Sequence, residues 1–205
     1  MSARYHHGDL RRVILDAAAD VITTTGPASL SLRELARVAG VSHAAPAHHF
    51  GDKTGLLTAL AIEGNELLAA SLAEALNETA ESGEPDFAEL GVRYVRFARR
   101  YPAHFAVMFR ADLHREDDPG LIAAKARTAG LLREGLTTLP EHRRGPDPAL
   151  STVAAWSIAH GFATLWNARN LDALSAAVLG RSAATEPDEL FRAVAALLFQ
   201  GGNGG

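Results

Sequence analysis

The segment from Ser31 to Lys53, SLRELARVAGVSHAAPAHHFGDK, constrains this chain more than any other stretch. Its residue order asks for two short helices that meet across a tight turn. Ser31 and Glu34 have the S-x-x-E spacing of a capping box, in which each side chain answers a backbone N–H left unpaired at a helix start. Leu32, Leu35, Ala36 and Ala39 give that helix one apolar face, and Gly40 is the residue type that closes helices in the left-handed conformation. Val41 can plug the angle between the helices, and Ser42 suits the N-cap of the second. That second helix, over 43–50, is too short and too polar for a core element. It offers instead a compact surface of Ser42, His43, Ala44, Ala45, His48 and His49, of a size that enters a major groove.

Around this segment the apolar periodicity is helical nearly throughout, and no sustained alternation argues for strands. A helix over 9–25 turns Val13, Ile14, Ala17, Val21 and Ile22 inward and stops at Gly26-Pro27. A long helix starts near Asp52-Lys53 and carries Leu56, Leu57, Leu60, Leu67, Leu68, Leu72 and Leu76 before Glu81-Ser82-Gly83-Glu84-Pro85 breaks it. Further helices are expected over 87–100, 102–110 with Pro102 in the first turn, 121–139, 149–167 and 188–200. A polar loop at 112–120 and a turn-rich linker at 140–148 separate some of them. The expected architecture is therefore all-α. A three-helix, helix-turn-helix domain is expected over 1–52, a second helical domain over 53–200, and a glycine-rich, disordered tail over 201–205.

Composition excludes more than it identifies. The 205 residues suffice for a small head plus a second cored domain. No apolar run approaches the length of a membrane span and no apolar signal core opens the chain, so a cytoplasmic protein is expected. The absence of cysteine excludes disulfides and thiolate metal sites. The net charge of −4 looks wrong for a partner of nucleic acid until it is divided along the chain. Residues 1–55 hold six Lys or Arg against five Asp or Glu, whereas the remainder holds 14 against 19. Five of the nine histidines also fall in the first part, where a phosphate field favours their protonated forms. His43, His48 and His49 are close together, but their offsets of five and six and the lack of a carboxylate on that helix argue against a metal site. No nucleophile with a base and an orienting acid stands out, so neither an enzyme nor a cofactor is expected.

Tyr5 to Leu10, the opening amphipathic helix ending at Thr25-Gly26, and SLRELARVAGVSHAAPAHHFGDKTGLL together resemble the DNA-binding domain of the TetR family of bacterial transcriptional regulators. Ala155 to Gly161, AWSIAHG, resembles the Trp/His-Gly segment found in the C-terminal domain of one branch of that family. The family usually carries an aromatic, expected to touch the DNA backbone, where this chain has Ala47. The resemblance implies a homodimeric, ligand-responsive repressor that binds a palindromic double-stranded operator and is released by a small apolar effector. The alternative from another class is a helical ligand- or partner-binding protein with a weakened reading head.

The expected sites follow. His43, Ala44, Ala45 and His48 face bases. Ser42, His49 and Lys53 hold phosphates, Ser31 and Arg33 complete the DNA-facing surface, and an arm bearing Arg4 and Tyr5 reaches along the backbone or into the minor groove. Aromatics concentrate in 94–109, so the effector pocket is expected among Phe97, Tyr101, Phe105, Met108 and Trp156, with His160 as polar anchor. Leu150, Val153, Ala154, Ser157, Gly161 and Leu165 form a stripe on one helix, and Phe191, Val194, Ala195 and Leu198 form another on the last. Paired with their symmetry mates, these would build a four-helix dimer interface.

Overall fold

The computed structural model describes residues 7–82, 87–139, 141, 144, 147–171 and 186–199. The helices are α1 (His7–Thr25), α2 (Leu32–Val38), α3 (Ala45–Phe50), α4 (Lys53–Ser82), α5 (Phe87–Arg100), α6 (Pro102–Met108), α7 (Pro119–Thr137), α8 (Pro148–Asn167) and α9 (Pro187–Phe199), with a 3-10 turn at Pro27–Ser29 between α1 and α2. Among the described residues there is no strand. Packing divides the chain into two compact units, one from Met1–Glu66 with Tyr101–Lys125 and the other from Leu67–Arg100 with Ala126–Gly205. The division falls inside α4, so the unit that holds the reading helices extends well past residue 52.

In the first unit α1 packs on α2, α3, α6 and the 3-10 turn, and α2 packs on α3. Ile14, Leu15, Ala18 and Ile22 are the buried positions of α1, joined by Leu35 and Ala36 of α2, Phe50 of α3 and Leu56, Leu57 and Leu60 of α4. Val13, Ala17 and Val21 are only half-buried. A helix with several partners buries a wider arc than a single stripe, which draws Leu15 and Ala18 inside. Polar ties also link the elements. His104 Nε2 of α6 lies 3.2 Å from Glu63 Oε2 of α4, and the Arg12 guanidinium of α1 bonds the same carboxylate. His104 first, and then the charge of Arg12, hold the Glu63 carboxyl below the usual carboxylate range. The loop after α6 is fixed by the Arg115 backbone N–H, which donates to Thr58 Oγ1 at 3.0 Å, and by the Arg115 guanidinium, which bonds Asp52 at 2.8 Å.

In the second unit α5 packs on α8 and α9, and α8 packs on α9. Leu90, Val92, Tyr94, Val95, Phe97 and Ala98 give α5 its buried face. Its polar face is laced by ions: Arg93 bonds Glu89 and Glu78, Arg192 of α9 bonds Glu89, and Arg96 bonds Asp188 at 2.6 Å. Asp147 caps α8 by accepting from the backbone N–H groups of Ala149 and Leu150. Gly91 marks a close approach in this unit, since a Cβ there would overlap the Phe191 ring edge. The part of α4 from Lys53 to Glu81 is long and apolar enough to cross a membrane by length and composition, yet most of its apolar stretch is buried inside the protein. A helix serving two cores reads as apolar all round for that reason.

Candidate DNA-reading surface and ligand cavity

The reading surface begins at Ser31, which occupies the N-cap position of α2 in extended conformation (φ −123°, ψ 129°) but makes no side-chain capping bond. The capping box expected from the sequence therefore does not form. Glu34 turns instead to Arg37, whose Nη2 lies 2.5 Å from Oε1 and whose Nε donates to Oε2 at 3.1 Å. A charge-assisted bond at i+3 outcompetes a neutral backbone N–H for the same carboxylate. Gly40 then takes a φ of +65°, and the Val41 N–H donates to the Ala36 carbonyl at 3.0 Å, which closes α2 as a glycine C-cap should.

α3 starts at Ala45, two residues later than expected, with Pro46 in its first turn. Ser42 contributes its carbonyl, which accepts from the Ala45 N–H at 3.0 Å, and no side-chain cap bond is made. Ala45, expected to face bases, is 7% exposed and packs inward with Pro46 and Phe50. Pro46 lacks an N–H and belongs in a first turn, and this register puts residues 45, 46 and 50 on the inner face. Ser42, His43, Ala44, Ala47 and His48 are exposed, His49 is half-buried, and Ser31 and Arg33 are exposed on α2. Lys53 is half-buried, and its Nζ donates to the Ala28 carbonyl at 2.8 Å, so it ties α4 to the 3-10 turn. The Arg11 guanidinium sits 5.3 Å from the Phe50 ring centroid. Arg4 and Tyr5 lie outside the described residues.

The second unit contains a slot between α5, α7, α8 and α9, walled by Leu90, Gly91, Tyr94, Leu132, Trp156, Ala159, Phe191 and Ala195 among others. It is narrow, with about 480 Å³ of atom-free space counted out to its solvent-facing mouth. Three polar groups converge at it. The Trp156 indole N–H donates to Tyr94 Oη at 3.3 Å, and Tyr94 Oη lies 2.9 Å from His160 Nδ1. Burial pushes the Tyr94 phenol well above its ordinary range and pushes the His160 imidazole down, so both are neutral. A neutral phenol is a donor, and the accepting nitrogen of a neutral imidazole is its natural partner. The slot is thus an apolar cleft with one aligned hydrogen-bonded triad at its edge, the composition of a small-molecule site.

Comparison with known proteins decides the class. The sequence profile described as "Tetracyclin repressor-like, C-terminal domain" matches residues 87–198, and that of "Bacterial regulatory proteins, tetR family" matches residues 14–60. The chain belongs to the TetR family. A solved structure of a protein with unknown function from Rhodococcus sp. RHA1 is 32% identical, covers 98% of each chain and superposes with a TM-score of 0.74. The TetR-family regulator PfmR from Thermus thermophilus is 25% identical, with a TM-score of 0.69 over 92% of this chain and 97% of its own. AibR, solved with isovaleryl coenzyme A and operator DNA, shares the fold at 16% identity and a TM-score of 0.65, covering 93% of this chain and 98% of its own. No curated protein matches the chain in sequence.

In this TetR-family protein the slot takes in some of the residues expected to line an effector pocket and leaves out others. Trp156 lines the slot and His160 joins its triad, but Phe97, Tyr101, Phe105 and Met108 do not line it. Phe105 and Met108 are buried in the first unit, where Met108 Sδ would lie 3.1 Å from a Cβ at Gly64, and Phe97 is buried in the second. Tyr94 is the functional candidate that sequence reasoning missed. The available signal was the inward stripe of Leu90, Gly91, Tyr94 and Ala98, which an aromatic count over 94–109 obscured.

The face expected to pair with a second copy divides in two. On α8, Leu150 and Val153 are 66% and 55% exposed, Ala154, Ser157 and Leu165 are exposed, and Gly161 is half-buried. On α9, Phe191 and Ala195 are buried in the same unit, where both line the slot and Phe191 meets Phe162 edge-on at 5.3 Å. Val194 is half-buried, Leu197 is 80% exposed, and the side chain of Leu198 lies outside the described residues.

Proposed function

We propose that this TetR-family regulator is a cytoplasmic, homodimeric repressor, that two copies of the α2–turn–α3 head read a palindromic operator, and that an apolar small molecule entering the slot releases the DNA. The observation that supports the reading surface is the exposed patch of His43, Ala44, Ala47 and His48, presented by a short helix whose other face is buried. His43, Ala44 and His48 face bases, and Ser31, Arg33, Ser42, His49 and Lys53 hold phosphates. With Ala47 at the position where an aromatic is usual, affinity rests more on these neighbours and on the arm carrying Arg4 and Tyr5. One such head covers only a few base pairs, so a dimer with heads one helical turn apart is what specificity requires.

The slot supports the effector reading. Its walls are apolar, its anchors Tyr94, Trp156 and His160 are neutral, and it is too narrow for a ligand in the present state. A ligand therefore acts by stabilising a wider conformation and shifting the equilibrium between DNA-competent and incompetent states. The solved complex of AibR with isovaleryl coenzyme A and operator DNA supports pairing the two kinds of partner on this fold.

The test is a gel-shift titration on the DNA upstream of the protein's own gene, with and without straight-chain and branched fatty acids. A retarded complex with two-fold symmetric protection, dissolved by a ligand that fails on Ala159→Trp, is expected. No retardation of any fragment would leave the ligand-binding role alone standing.

A further inference from the structure

The second unit carries a second recess, chemically unlike the slot. It is lined by Arg99 of α5, by Trp166 and Asn167 at the end of α8, and by Arg169, and it holds about 700 Å³ of atom-free space open to solvent.

Arg169 is the unusual member. Among the described residues it is the one non-glycine with positive φ, at 58°, and its N–H donates to the Trp166 carbonyl at 2.9 Å. This is the position where helices commonly place glycine, because a Cβ there is strained by about 1 kcal/mol or more. An arginine meant only to offset the negative end of the α8 dipole would do so from the last turn without that strain. The left-handed backbone instead places Arg169 on the recess, and among the described residues no carboxylate lies within ion-pair distance of it. Arg99 is loosely held, its Nη1 4.0 Å from Asp188 Oδ1, while Arg96 takes Asp188 Oδ2 at 2.6 Å. Arg96, which also reaches Glu89 Oε1 at 3.6 Å, takes the nearer share of Asp188, and Arg99 and Arg169 each bring a guanidinium group to the recess.

The other two residues add shape. Trp166 is half-buried and stacks on Phe162 with ring planes 14° apart and centroids 6.0 Å apart, so its indole is held in a fixed plane. Asn167 Nδ2 donates to the Ala98 carbonyl at 3.0 Å, which fixes the amide and leaves its oxygen to accept. Two arginine forks suit phosphate oxygens, a held indole suits a planar ring, and an amide oxygen suits an exocyclic amine.

We propose that this recess binds the phosphorylated end of a nucleotide, with Arg99 and Arg169 on the phosphates and Trp166 with Asn167 on the base. The proposal rests on the reading of this chain as a ligand-responsive regulator, but on a site separate from the slot. Along α8 the two are about 10 Å apart, measured from Ala159 to Trp166, with Phe162 between them.

The experiment is calorimetric titration of the full-length protein with ADP, adenosine and inorganic pyrophosphate, in low salt without divalent metal. Expected is binding of ADP at least tenfold tighter than either fragment, weakening as salt is raised. Arg169→Gly should keep or raise the thermal midpoint, because glycine relieves the strained backbone, and should cut ADP affinity at least tenfold. Arg99→Gln should do the same to affinity. ADP binding no tighter than adenosine or pyrophosphate, or ADP binding unchanged in Arg169→Gly, overturns the proposal. Operator retardation and its release by fatty acids are read on the same protein. Loss of those with ADP binding intact would sink the slot reading alone, and the reverse pattern would sink this one alone.

Discussion

At the scale of single residues, stability turns on close approach and on buried neutral groups. Gly91 faces the Phe191 ring so closely that Gly91→Ala must displace the ring, which walls the slot. Overpacking of this kind costs about 1–3 kcal/mol, and a fall in thermal midpoint with weakened effector response is the expected result. An unchanged midpoint would mean that the ring moves freely. The buried imidazoles give a pH prediction. Desolvation lowers the affinity of His160 and of His114 for protons, and His114 is buried with Nδ1 3.1 Å from Glu116 Oε1 but outside hydrogen-bond alignment. An unfolded chain protonates these groups near their ordinary value of about 6.5 while the folded chain does not, so the unfolded state binds more protons there. Stability is therefore full above that value and falls as pH drops below it. Denaturant midpoints at pH 7.5 and 5.5 should differ in that sense, and His160→Gln should flatten the difference.

At the scale of elements, the reading head depends on one backbone position and one long side chain. Gly40 is left-handed at the end of α2, so Gly40→Ala costs about 1 kcal/mol from the strained φ alone. The angle between α2 and α3 should suffer with it, and operator affinity should fall more than the thermal midpoint implies. Lys53 joins the start of α4 to the Ala28 carbonyl, which holds its ammonium beside the head. If it also meets a phosphate, Lys53→Ala should reduce the slope of log affinity against log salt by about 0.9. An unchanged slope would make Lys53 a strut between elements and nothing more. The missing capping box belongs at this scale as well. Ser31 and Glu34 had the right spacing, but Arg37 stood one turn on, and the pairing of side chains on the helix surface took the carboxylate.

At the scale of the whole molecule, the exposed apolar strip on α8 is the feature a lone chain cannot explain. Leu150, Val153 and Leu165 are exposed while the opposite side of the same helix buries Ala159, Phe162 and Ala163. An amphipathic helix that shows apolar residues on both sides needs a partner on each, and a second copy offers the self-complementary surface. Val153→Glu should leave the helical content intact, because the residue is 55% exposed, and should shift the proposed dimer to monomer in sedimentation. Operator binding should be lost in parallel. A dimer that survives Val153→Glu together with Leu150→Glu would place the interface elsewhere.

The amino-acid order by itself determined the helices, the turn at Gly40, the family and the exposed strip on α8, because each is written in local spacing: caps, glycines and apolar residues at helical intervals. The partners of each face lay beyond it. Ala45 and Ala44 are chemically alike, and only the register of α3, set by Pro46 and Phe50 packing inward, turned one in and left the other out. Phe191 and Ala195 have the same spacing as an interface stripe, yet α5 lay close enough to claim them for the chain's own core. Met108 and Trp156 are both large and apolar, and the chain's division into two units set Met108 in the first core and Trp156 on the slot of the second. Periodicity tells which residues want burial, but what buries them depends on contacts between segments far apart in sequence, and those are decided only when the helices pack.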